Sequence, residues 1–128
     1  MKKKFSTAWI GSKQRRKQRK YRYNAPLHIK QKFVHAHLSK ELRKKYNTRS
    51  LGLKKGDKVI VLRGQFRKHV GNVDRIDLKR AKAYITGIEI TKKDGSKTTY
   101  PIDPSNIIIT ELNLDDKMRQ KIIERKAK

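Results

Sequence analysis

Three groups of side chains in this sequence could do chemistry: four histidines, two neighbouring aspartates, and a large surplus of lysine and arginine. The histidines are His28, His35, His37 and His69. His35 and His37 are two positions apart, and in a stretch that reads as helical this spacing sends them to different faces. There is no cysteine, and no nearby carboxylate completes a coordination shell. Metal binding is therefore not expected, and the histidines read as neutral hydrogen-bonding or nucleic-acid-contacting groups. Asp74 and Asp77 flank Arg75 and read as salt-bridging surface acids. No Walker-type loop, Gly-x-Ser-x-Gly elbow or His-Glu-x-x-His is present. Neither catalysis nor a cofactor or small-molecule substrate is expected.

The remaining chemistry is cationic. The chain has 128 residues, with 36 Lys and Arg against 11 Asp and Glu, a formal net charge of +25. Such a charge repels itself in a compact state and calls for a polyanion to neutralise it. Nucleic acid is the strongest candidate, because bound cations release condensed counterions. The surplus is uneven. Residues 1–50 hold 17 bases and one acid (Glu41), residues 51–111 hold 13 bases and seven acids, and residues 112–128 hold six bases and three acids. Within the first segment, Lys13, Arg15, Arg16, Lys17, Arg19, Lys20 and Arg22 follow one another without an acid, a pattern suited to phosphate contact. Tyr21 and Tyr23 could stack on exposed bases or pack inward. Trp9, the lone tryptophan, reads as part of an unstructured end available for stacking or docking.

These cations need elements to position them. Residues 13–23 are fair helix formers, with Ser12 as a cap and Asn24-Ala25-Pro26 as a stop, but they carry no apolar stripe. A helix that frays alone and forms against a polyanion is expected. Pro26 suits the first turn of a second helix, with Leu27, Ile29, Phe33, Val34 and Leu38 as its apolar face. Ser39 caps a third helix, Lys40 to Tyr46. From Leu51 the pattern changes to short β-branched runs broken by glycine. Strands are expected at 58–63, 71–77, 82–86, 88–90, 98–102 and 107–112, with a hairpin turn at Asp94-Gly95 and a bulge or sharp bend at Gly87. A small, partly open barrel is the economical arrangement, because closure hides strand edges. Asp115 then caps a last helix whose apolar side is Met118, Ile122 and Ile123.

Gly56-Asp57-Lys58-Val59-Ile60-Val61, Arg63-Gly64 and Gly71-Asn72-Val73 place two strands across a basic loop. Arg63, Gly64, Arg67, Lys68 and His69 stand on that loop without competing acids, as phosphate binding requires. Residues 54–80 resemble the KOW motif, a nucleic-acid-binding strand–loop–strand of SH3-like barrels. The chain from Ser12 to Ala127 resembles the KOW-bearing large-subunit ribosomal protein family numbered twenty-four, in its archaeal–eukaryotic form. The matching segments outside the motif are Ala25-Pro26-Leu27-His28, Leu38-Ser39-Lys40-Glu41-Leu42-Arg43, Asn47-Thr48-Arg49-Ser50, Pro104-Ser105-Asn106 and Ile123-Glu124-Arg125-Lys126-Ala127. Lys68 departs from the motif, which usually has glycine there. It must either avoid a left-handed conformation or bear its cost.

The resemblance implies a mainly β fold: an SH3-like (KOW) barrel over 51–112, a basic, partly helical RNA-binding extension over 1–50, and a C-terminal helix over 113–128. It implies a structural constituent of the cytoplasmic ribosome that binds the first domain of large-subunit ribosomal RNA. It further implies a role early in assembly near the nascent-chain exit, beside other large-subunit proteins and not as a homo-oligomer. Arg49, Lys54 and Lys55, where extension meets barrel, and Lys79, Arg80 and Lys82, in a turn between strands, join the expected RNA-contacting set. Two other classes fit less well. A transcription-elongation KOW factor usually carries a second globular domain, and a membrane-surface peptide needs an apolar face that residues 13–23 lack. No apolar run approaches a membrane span, and no signal h-region follows Met1-Lys2-Lys3-Lys4.

Overall fold

The computed structural model describes residues 3–127; Met1, Lys2 and Lys128 lie outside the described residues. A 3-10 turn at Thr7–Gly11 leads into helix α1 (Arg15–Asn24), α2 (Leu27–Phe33), strand β1 (His35–Leu38) and α3 (Lys40–Tyr46). Strands β2 (Ser50–Gly52), β3 (Lys58–Val61), β4 (Val70–Asp77), β5 (Lys82–Ile85), β6 (Glu89–Thr91) and β7 (Lys97–Thr99) follow. A 3-10 turn at Pro104–Asn106, β8 (Ile107–Glu111) and α4 (Lys117–Ala127) complete the chain.

Local chemistry accounts for most boundaries. Ala25 is extended, φ −57° and ψ 136°, as the residue before a proline must be, and this ends α1. At α3 the Ser39 hydroxyl accepts from the Leu42 amide at 3.3 Å, and Asn47 closes the helix in a left-handed conformation (φ 47°). The expected caps of the outer helices are displaced. Gln14, with no side-chain bond, precedes α1, while the Ser12 hydroxyl accepts from the Gln14 amide instead. Asp116, not Asp115, caps α4 by accepting from the Met118 amide at 2.8 Å. Met118 and Ile122 are exposed, and α4 turns Arg119 and Ile123 inward.

The expected helix over Pro26–Leu38 is cut short. It ends at Phe33, and the next residues form β1, hydrogen-bonded antiparallel to β2 and parallel to β8. Ala36 and Leu38 alternate with His35 and His37, so the apolar pair faces the core and the histidines share the other face. The expected placement of the two histidines on different faces is thereby corrected. Non-local pairing with β8, which no local pattern reveals, outweighs the helical reading of this short run.

The main sheet has the order β2-β1-β8-β3-β4-β5, and β6 with β7 forms a separate two-stranded sheet. The fold is mixed, with 34% helix and 28% strand, so the expected mainly β character is met only in part, and among the described residues the six-stranded sheet does not close into a barrel. Its edge strands β2 and β5 have three and four residues and do not pair with each other. Just beyond the β6–β7 hairpin, Ile102 forms a bridge to Ala83 of β5. Register shifts within the β4–β5 pairing, between Val73 and Arg75, where β4 bends. Gly71 allows the close approach beside that bend, since a Cβ there would sit 2.7 Å from the Thr86 carbonyl oxygen.

Two clusters hold the molecule. The main one joins Val34, Ala36, Leu38, Val59, Val61, Val73, Ala83, Ile85, Ile88, Ile107, Ile109 and Ile123. A smaller one joins Tyr21, Ala25 and Ile29, with Phe5, Trp9 and Phe33 packed on it. Phe33 touches both, so it couples α1 and α2 to the sheet.

Candidate nucleic-acid interface

Helix α1 carries the densest charge, and its inward anchors explain why it is helical in the chain alone. Tyr21, 6% exposed, stacks on Phe5 with ring centroids 5.3 Å apart and meets the edge of Phe33 at 5.9 Å. Gln18 donates from Nε2 to the carbonyls of Trp9 at 2.9 Å and Ser12 at 2.6 Å, tying the preceding turn to the helix. The expectation of an unstructured Trp9 is corrected accordingly, since Trp9 lies in the 3-10 turn that Gln18 ties to α1. The aromatic anchors come from outside the 13–23 window, so no stripe within it reveals them. Tyr21 packs inward, whereas Tyr23 is 81% exposed.

With Tyr21 buried, Arg15, Arg16, Arg19 and Arg22 are exposed on α1, Lys13 is exposed just before it, and Lys17 and Lys20 are half-buried. Across from α1 lies the β4–β5 turn. Lys30 of α2 reaches it, donating from Nζ to the Lys79 carbonyl at 3.1 Å. Between them opens a groove of about 790 Å³. Arg19, Lys20 and Arg22 line it from α1, Lys30 and Phe33 from α2, and Lys79, Arg80, Ala81 and Lys82 from the turn, with Tyr23 and Asn24 at one end. No carboxylate lines it among the described residues. Two cation sets nearly sixty positions apart in sequence thus share one concavity. Not all are free: Lys82 pairs with Asp103 at 2.8 Å, and Arg80 lies 3.9 Å from Asp77. Lys30, absent from the sequence-derived set, belongs here; on α2 it stands beside Lys32, and no local pattern separates the two.

The loop between β3 and β4 adds a second cationic surface. Arg63, Arg67 and Lys68 are exposed on it, and Gly64 turns it with φ +94°. Lys68 adopts φ +69°, so the loop keeps the left-handed conformation and the lysine bears its strain, about 1–2 kcal/mol. The backbone fixes this shape, with the Lys68 amide donating to the Val61 carbonyl at 2.8 Å and the Val61 amide to that of His69 at 3.0 Å. His69 itself turns to the protein, its Nε2 lying 3.0 Å from the Thr86 carbonyl. Lys82 lines both the groove and a hollow of about 230 Å³ under Arg63 and Gly64, which makes turn and loop neighbours.

Arg49, Lys54 and Lys55 are not brought into the groove. Arg49 is exposed after α3, and Lys54 and Lys55 border a separate hollow with α4. Lys54 pairs with Asp116, and this hydrogen bond, followed by that from the Met118 amide, holds the Asp116 carboxyl below the usual carboxylate range. His35 faces the same hollow. Partial burial, aided by the Lys126 charge, lowers its pKa below the ordinary histidine value, favouring the neutral ring.

One ion pair has no forerunner in the sequence reading. Asp57 is fully buried and Arg119 is 2% exposed. The guanidinium grips the carboxylate through two bonds, 2.6 and 2.7 Å, and donates onward to the carbonyls of Asn113 and Gly52. Asp57 also accepts from the amides of Lys54 and Asn113. This network locks α4 onto the start of β3, the end of that strand away from the basic loop. The single signal available was an arginine at i,i+4 to Ile123 on the inward side of α4.

Comparison with known proteins supplies what geometry alone does not. Residues 12–126 match the family described as the ribosomal proteins L26 of eukaryotes and L24 of archaea. The chain belongs to this ribosomal protein family. The Large ribosomal subunit protein uL24 of Methanoculleus marisnigri is 52% identical over 111 residues, 87% of this chain and 92% of that protein. Its counterpart in Methanothrix thermoacetophila is 52% identical over 114 residues, 89% and 98% of the two chains. The matched span runs from just before α1 to the end of α4, so it includes the groove, the basic loop and the buried pair. Family membership makes the chain a component of the large subunit of the cytoplasmic ribosome, and the relatives are named as subunit proteins, not enzymes.

Proposed function

We propose that this protein is a structural constituent that binds large-subunit ribosomal RNA through backbone phosphates. The observation that carries this reading is the groove, where cations from α1, α2 and the β4–β5 turn converge without a lining carboxylate. Its neighbour, the Arg63–Lys68 loop, extends the same surface. A rigid basic surface of this size matches phosphate spacing by shape and charge, with no sequence-specific base contact required. Neighbouring large-subunit proteins then cover part of the remaining surface, and the chain acts as one copy per subunit. Binding to the first domain of the RNA, early in assembly and near the nascent-chain exit, completes the proposal.

The test is sucrose-gradient sedimentation of a lysate, tracking the protein at low salt and after a high-salt wash. Co-migration with the large subunit that survives the wash is the expected result. Material found only at the top of the gradient would sink the reading.

A further inference from the structure

We propose that the groove between α1, α2 and the β4–β5 turn receives an unpaired RNA base swung out of its helix, in addition to phosphates along the rim. This inference rests on the RNA-binding reading above. A surface that met only duplex phosphates would need cations and nothing else. This groove has an aromatic and apolar lining as well. Tyr23 lines it with its ring 81% exposed, although Tyr21, two residues earlier, found an aromatic cluster to enter. Phe33 is half-buried, and the Arg22 guanidinium lies over its ring at 5.6 Å, a planar cation already fixed in place. Asn24 lines the same end. Its amide nitrogen is used by the Lys4 carbonyl at 3.0 Å, which leaves its side-chain oxygen to accept from a base edge. Lys30 and Arg80 supply rim charge for the flanking phosphates.

The occupant follows from this chemistry. A volume of about 790 Å³ lies in the range of small-ligand pockets and exceeds what a single phosphate fills. A stacking ring, a planar cation and a rim of positive charge are the elements of a site for unpaired nucleotides. An acidic peptide would satisfy the rim but would leave the tyrosine ring without a flat partner.

The experiment compares binding of the full chain to a short labelled oligoadenylate and to a blunt RNA duplex at one ionic strength. Tyr23 is exposed, so Tyr23→Ala leaves the fold intact, which circular dichroism verifies. The expected result is a roughly tenfold loss of oligoadenylate affinity with a much smaller loss for the duplex. Tyr23→Phe keeps the ring and restores binding. A 2-aminopurine placed in the oligonucleotide is quenched by the native chain and not by Tyr23→Ala. Equal losses for both RNAs, no loss for either, or preferential binding of an oligoglutamate peptide would each overturn the proposal. If the native chain bound the duplex but not the oligoadenylate, the base site would fail and the phosphate reading would stand. If it bound neither RNA, both would fail.

Discussion

Lys68 and Arg119 illustrate two ways in which single residues set this molecule's properties. Lys68 occupies a left-handed position that glycine would fill without strain. Lys68→Gly relieves about 1–2 kcal/mol of strain, partly offset by glycine's extra freedom when unfolded. A net gain of up to about 1 kcal/mol in urea denaturation is expected, together with weaker RNA binding from the lost cation. A variant that lost stability would mean the loop does not hold the left-handed shape. Arg119 acts through burial. Arg119→Met leaves the Asp57 carboxylate buried with only amide partners, which costs about 3–5 kcal/mol, a large part of a small domain's stability. Adding Asp57→Asn removes the uncompensated charge and recovers part of the loss; the rest persists because the asparagine NH2 cannot accept from one of the Lys54 and Asn113 amides. Loss of less than about 1 kcal/mol in the single variant would show that the pair is not the lock described.

At the scale of elements, α1 is the informative case. Its exposed face carries cations whose mutual repulsion disfavours the helix, and its inward face is held by Tyr21 and Gln18. The order of α1 therefore depends on a satellite cluster and not on the main core. Tyr21→Ala removes about 3 kcal/mol of packing from that cluster. Hydrogen exchange is expected to show α1 amides losing protection while β3 and β8 amides keep theirs, because local opening becomes easier than global unfolding. A uniform loss across all elements would refute separate clusters. The same variant weakens RNA binding, since the α1 cations must then be ordered on association.

For the whole molecule, charge dominates. With a net charge of +25, free protein is strained by self-repulsion, and added salt screens it. Salt also competes with the counterion release that drives RNA binding. Raising ionic strength should therefore raise the melting temperature of the free protein while lowering RNA affinity, with a slope of about −0.9 per duplex phosphate contacted. Calorimetry and anisotropy over one salt series check both signs. A melting temperature that fell with salt would mean that attractive ion pairs, such as Lys58 with Glu111, outweigh the repulsion.

Much of this protein was legible in its sequence, for physical reasons. Charge is carried by residue type alone, so the expectation of a polyanion partner and the acid-free stretch from Lys13 to Arg22 required no tertiary structure. Turn and cap chemistry is local, so Ser39, Pro26 and the Asp94-Gly95 hairpin marked their elements correctly. Tertiary structure decided what depends on distant partners. Residues 35–38 became a strand because β8 was there to pair with them, and the sheet order β2-β1-β8-β3-β4-β5 is likewise set by non-local pairing. Tyr21 and Tyr23 are alike in sequence, yet one is buried by Phe5 and Phe33 and the other is left in solvent. The groove joins α1 to a turn nearly sixty residues away, and Asp57 meets Arg119 across 62 positions. Local pattern reports the free energy a residue gains from its chain neighbours. These features draw theirs from contacts that exist only once the chain has folded.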